Sequence, residues 1–94
     1  MTVGKVYFDS GEFIVGVNYQ FHDESQAGWW GELVPEEYRR ISDGDSYMLE
    51  LEDGRRGRCS LRKRVNRAVR GTPPLYHYYF RGRGQFEGTP RQPE

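Results

Sequence analysis

The sequence predicts a small all-β domain: five to six short strands in a partly closed antiparallel β-barrel of the SH3-like or OB-like kind, with at most one short helical turn. Three observations carry that expectation. Short runs rich in Val, Ile, Phe and Tyr recur along the chain, separated by Gly-containing turns. The clearest stretch, residues 46 to 64, alternates apolar and polar residues with a period of two. The chain has 94 residues, of which 35% are apolar and 15% aromatic. That allows one domain with a thin core built largely from rings, and closure into a barrel removes exposed sheet edges. Residues 1 to 86 are assigned to the domain and 87 to 94 (EGTPRQPE) to a mobile tail.

Residues 5 to 19 (KVYFDSGEFIVGVNY) read as a first hairpin. A two-residue Ser10-Gly11 loop would set Phe8 opposite Phe13 and Val6 opposite Val15. It is preferred to a three-residue loop ending at Gly11 because it gathers the apolar residues on one face. Residues 20 to 28 (QFHDESQAG) are polar and aperiodic and read as a loop. Residues 29 to 34 (WWGELV) form a short strand that Pro35 ends, with Gly31 marking a bulge or a close backbone approach. Residues 35 to 41 (PEEYRRI) fit one helical turn or a turn plus a short strand, and Asp43-Gly44-Asp45 reads as a turn.

In residues 46 to 64 (SYMLELEDGRRGRCSLRKR), loop length decides which side chains share a face. A two-residue Asp53-Gly54 loop would force Arg56 and Arg58 onto the side of Leu51 and Leu49. A three-residue loop, Glu52-Asp53-Gly54, pairs Leu51 with Arg55, Glu50 with Arg56, Leu49 with Gly57 and Tyr47 with Cys59. It also puts Gly54 at the left-handed position of a type I turn with a G1 bulge. Residues 60 to 71 (SLRKRVNRAVRG) are expected to continue as strand to about Arg64 and then as a basic loop. A short helix is the alternative, disfavoured by the cations in its first turn. After Thr72-Pro73-Pro74, residues 75 to 81 (LYHYYFR) form a last strand, ring-rich on both faces and therefore a central or closed-barrel strand.

Charge is divided along the chain. Residues 1 to 54 hold 12 of the 14 acids and sum to −9, whereas residues 55 to 94 hold 11 of the 14 bases and sum to +9. Overall charge is zero, which speaks against a dedicated nucleic-acid binder, while the asymmetry speaks for an anionic partner of the basic half. Exposed ion pairs contribute only about 0–1 kcal/mol each, so stability alone is a weak reason for so many arginines.

The leading expectation is a non-catalytic interaction module that binds a protein partner or itself through acidic and basic patches. Arg62, Arg64, Arg67 and Arg70 would supply the basic side. Glu36, Glu37, Asp43 and Asp45 would supply the acidic side. Trp29 or Trp30 would be the anchor, because adjacent strand residues face opposite ways and one ring must be outside. The alternative is single-stranded nucleic-acid (RNA) binding along residues 55 to 70, using Arg62, Lys63, Arg64, Arg67 and Arg70. Tyr76, Tyr78 or Tyr79 would stack on bases, next to Arg81 and Arg83. Exposure of the rings at 76 to 80 discriminates, buried rings favouring the protein-binding module, and a chain this short is expected to bury most of them. The RNP1 pattern fails because Arg83 stands where an aromatic residue belongs.

No catalytic constellation, Walker A loop or GxGxxG is present in the sequence. His22-Asp23-Glu24 with His77 matches no metal-ligand spacing, and no metal or other cofactor is assigned. The single cysteine, Cys59, is expected in the core and unreactive, in keeping with a reducing, cytoplasmic setting. The chain has no apolar run long enough to cross a bilayer, so no membrane association is expected.

Overall fold

A computed structural model describes residues 2–25, 28–37, 39–64 and 77–88. Six strands account for most of them: β1 (Thr2–Phe8), β2 (Phe13–Asp23), β3 (Trp30–Pro35), β4 (Gly44–Glu50), β5 (Arg56–Arg64) and β6 (His77–Gly82). All neighbours are antiparallel, and the order β1-β2-β3-β6-β5-β4 closes on itself through β1 and β4. The barrel is therefore closed, not partly closed, and none of the described residues forms a helix. Alternate residues point inward, as the period of two requires. Val6, Val15, Val17, Leu33, Leu49, Cys59, Leu61 and Phe80 are fully buried.

The β4–β5 hairpin has the anticipated register: Glu50 faces Arg56, Leu49 faces Gly57 and Tyr47 faces Cys59. Leu51 N–H donates to Arg55 O at 2.8 Å across the three-residue loop, and Gly54 N–H donates to Leu51 O at 3.0 Å. Gly54 has φ of +93°, a conformation that side chains with a Cβ resist.

The first hairpin departs from the sequence expectation. Phe8 N–H donates to Glu12 O and Gly11 N–H to Phe8 O, both at 2.8 Å, so the loop is Asp9-Ser10-Gly11 with Gly11 at φ +94°. Phe13 then faces Tyr7 rather than Phe8. Carried on unbroken, this register would turn Val15 outward. A bulge at Ile14 absorbs one residue and restores Val6 opposite Val15. The apolar face fixes the register through the bulge, not through the turn length.

Residues 20 to 23, expected in a loop, continue β2 to Asp23. Phe21 holds them there, because its ring packs edge-on against Trp29, Phe80 and Phe86. A bulge between Phe21 and Asp23 lies opposite Gly31 and Trp30. Gly31 is the expected close approach, since a Cβ there would overlap Gln20 O and crowd the Phe80 ring. Residues 35 to 41, expected to fit a helical turn or a turn plus a short strand, contain no helix and, beyond Pro35, no strand among those described. Pro35 pairs with Val17, Glu36 N–H donates to Gly16 O at 2.9 Å, and Ile41 is drawn into the core. Gly44 and Asp45, expected in a turn, already belong to β4. The expected strand is present through Arg64, the last described residue before position 77. The loop-or-helix question for residues 65 to 71 falls outside the described residues, as do Leu75 and Tyr76. β6 lies between β3 and β5 as a strand of the closed barrel.

One end of the barrel is plugged by rings from three parts of the chain. Trp29 stacks on Phe86 with centroids 4.2 Å apart, and its Nε1–H donates to Gly84 O at 2.7 Å. Residues 83 to 88 fold back over this end. Arg83 N–H donates to Arg58 O at 2.8 Å, and Arg56 and Glu87 exchange two backbone bonds of 2.8 and 2.6 Å. Glu87, assigned by sequence to the tail, thus sits in a bridge, and residues 89 to 94 lie outside the described residues.

Candidate functional site

The acidic and basic halves meet on the barrel wall because β4 lies beside β5, and β3 is separated from β5 by β6 alone. Glu50 pairs with Arg56 at 2.9 Å, Glu32 with Arg64 at 3.0 Å, Asp45 with Arg83 at 2.6 Å and Asp9 with Arg58 at 3.5 Å. All four arginines are about half exposed or more, so these contacts neutralise charge more than they stabilise.

The four acids expected to form one patch are engaged separately. Asp43 accepts the Lys63 backbone N–H at 2.8 Å, Asp45 holds Arg83, and Glu37 lies 3.2 Å from Arg39. The Glu36 carboxyl lies over Gly16, in the space a side chain there would occupy.

The basic and aromatic residues are sorted by strand parity. Trp29 is 1% exposed and Trp30 40%, so of the two expected anchors Trp30 is the exterior ring and Trp29 is buried away from any surface contact. Tyr78 is 1% exposed and Phe80 fully buried, which removes Tyr78 as a stacking platform, whereas Tyr79 is 36% exposed. Arg62 and Arg64 point outward, and Lys63 falls in the inward-facing register between them. Arg83 is occupied by Asp45. Arg67, Arg70 and Tyr76 lie outside the described residues.

What the fold brings together is the outer face of β3, β6 and β5. Trp30 lies opposite Arg81 in the ladder, and Tyr79 lies between Glu32 and Arg62. Trp30, Ser60, Arg62, Tyr79, Phe80 and Arg81 line an open groove of about 480 Å³. Among the described residues neither Arg62 nor Arg81 has an ion-pair partner. At the margins His22 stacks on Trp30 with centroids 4.8 Å apart, and the Arg64 guanidinium lies 5.6 Å from the Tyr79 ring centre. Glu32 is the acid of this face. Burial pushes its carboxyl up, but the hydrogen bond and charge of His22, 3.4 Å away, and those of Arg64 outweigh this and hold it below the usual carboxylate range.

Ser60, His22 and Glu32 belong to this face, and nothing in the sequence singles them out for it. Strand parity alone can place Ser60 and Glu32. It cannot place His22, because the segment around it has the polar, aperiodic character of a loop.

Cys59 is buried in the core, and burial pushes its thiol up to about 12, which keeps it protonated and inert. Among the described residues no helix is long and apolar enough to cross a membrane. No family model, curated protein or solved structure matches the chain.

Proposed function

We propose that this chain is a non-catalytic binding module that docks its partner on the outer face of β3, β6 and β5. One observation carries the reading: two half-exposed rings, Trp30 and Tyr79, share a groove with Arg62 and Arg81, which have no carboxylate partner among the described residues. Trp, Tyr and Arg are the side chains that most often anchor partners. Among the described residues the groove's own lining holds no carboxylate or imidazole, and the chain's one thiol is sealed in the core. Head-to-tail pairing with a second copy draws less support, because three of its four expected acidic members, Asp43, Asp45 and Glu37, are engaged one by one within the chain. The reading suits a reducing compartment such as the cytoplasm, where a free Cys59 persists.

Two-dimensional amide NMR tests the face without presuming its ligand. A single-stranded oligonucleotide, an acidic peptide and a dilution series of the protein itself are compared. Shifts should gather on Trp30, Ser60, Arg62, Tyr79 and Arg81 for one of the three. Perturbation confined to the opposite hairpin, around Phe8 and Phe13, would refute the reading.

A further inference from the structure

We infer that the partner of this face is a single-stranded nucleic acid, whose bases stack on Trp30 and Tyr79 while its phosphates meet Arg62 and Arg81. The inference rests on the docking face proposed above and gives its ligand a chemistry.

The face alternates planar rings with cations. Trp30 and Tyr79 project from adjacent strands, Arg81 lies opposite Trp30, and Arg62 lies opposite Tyr79. A polyanion without rings would satisfy the arginines and leave both rings in water. An apolar peptide would cover the rings and strip water from two guanidinium groups that have no carboxylate partner among the described residues, which is costly. A single strand satisfies both, since every base offers a π-face and every linkage a phosphate. Glu32, on the outer face of β3, is held by His22 and Arg64, so its charge is countered where a phosphate would approach. Ser60 adds a hydroxyl at the groove wall. Duplex DNA fits less well, because its stacked bases are closed to exposed rings.

The magnitudes are modest and specific. Net charge is zero, so attraction comes from the face and not from the molecule as a whole. Two phosphate contacts give a salt slope of about −1.4 for a single strand, or about sevenfold weaker binding between about 50 and 200 mM salt. Removing one of the two arginines reduces that loss to about 2.6-fold. Each ring lost weakens binding about five- to 150-fold.

The test is fluorescence anisotropy with labelled U10 and dT10, with poly-glutamate as a ringless polyanion, at about 50 mM salt. Trp30→Ala, Tyr79→Ala and Arg62→Gln are compared with Phe13→Ala, which removes an exposed ring elsewhere (53% exposed). Circular dichroism checks that each variant is folded. Expected are oligonucleotide binding, the ring-dependent losses, the shallower salt slope of Arg62→Gln and no effect of Phe13→Ala. Preference for U10 over dT10 identifies RNA, and the reverse identifies DNA. No binding of either oligonucleotide overturns the inference. Poly-glutamate bound as tightly as the oligonucleotides, through Arg62 but indifferent to Trp30→Ala and Tyr79→Ala, also overturns it while leaving the docking face intact. Oligonucleotide binding insensitive to Trp30, Tyr79 and Arg62 overturns both.

Discussion

Trp29 closes the barrel by lying flat against a backbone that has no side chain to spare, and Gly82→Ala tests that arrangement. A Cβ built at Gly82 would overlap indole atoms Cε2, Cδ2 and Nε1. The indole has little room to retreat. Its other neighbours are Phe86, stacked at 4.2 Å, and Gly57, where a Cβ would come within 2.7 Å of Cζ2. Overpacking of this kind costs about 1–3 kcal/mol. If the ring swings away, it also loses its Nε1–H bond to Gly84 O, worth about 1 kcal/mol, and its stacking on Phe86, worth about 0.5–1.5 kcal/mol. A total of at least about 2.5 kcal/mol is expected, a large part of the roughly 5–15 kcal/mol typical of a domain. Urea denaturation followed by circular dichroism measures it. The decisive comparison repeats Gly82→Ala in a Trp29→Leu background. With the indole gone the alanine should cost less than about 0.5 kcal/mol, leaving a coupling of about 2 kcal/mol between the two sites. A cost below about 0.5 kcal/mol in the parent chain, or the same cost in both backgrounds, would refute the wedge.

Gly11→Ala and Gly54→Ala should each lose about 1–2 kcal/mol, because both positions are left-handed. Gly44→Ala, whose Cβ would meet nothing closer than Tyr47 Cε2 at 3.9 Å, should stay within about 0.5 kcal/mol in the same denaturation assay. Equal losses at all three would undo the turn argument. Because burial raises the Cys59 thiol to about 12, its contribution to stability is whole below the unfolded value of about 8.5 and is lost as pH climbs through 12. A disulfide reagent at about pH 8 should therefore label the unfolded chain and spare the native one, and fast native labelling would contradict the buried placement. Glu32 has the opposite sign. Its lowered carboxyl stabilises the fold above the ordinary carboxylate value and ceases to do so as pH falls through the lowered one. Glu32→Gln should flatten the acid limb of a stability-against-pH curve, and an unchanged limb would show that the contacts with His22 and Arg64 do not persist in solution.

The β4–β5 hairpin is legible in the amino-acid sequence alone. Its two faces differ in polarity, only one loop length keeps Leu49, Leu51 and Cys59 together, and the glycine that loop needs is Gly54. Between β1 and β2 the same logic finds the Val6–Val15 pair but not the loop. A three-residue turn and a bulge at Ile14 offset each other, and no local pattern separates their sum from a two-residue turn. Residues 20 to 23 are not legible as strand because the partners of Phe21 include Phe80 and Phe86 at the other end of the chain. For the same reason Phe86 and Glu87 resemble the approach to a tail.

Sequence by itself determined the β class, the strand parity and the outward turn of either Trp29 or Trp30. Those follow from the two-residue period of an extended chain, which is a local property. Tertiary structure decided which of the two rings is outside, and which charges remain for a partner. Closing the sheet sets Glu32 within reach of Arg64 and Asp45 near Arg83, while leaving Arg62 and Arg81 without a carboxylate among the described residues. Neutralisation acts through space, and the neighbours it depends on exist only once the strands are ordered around the barrel.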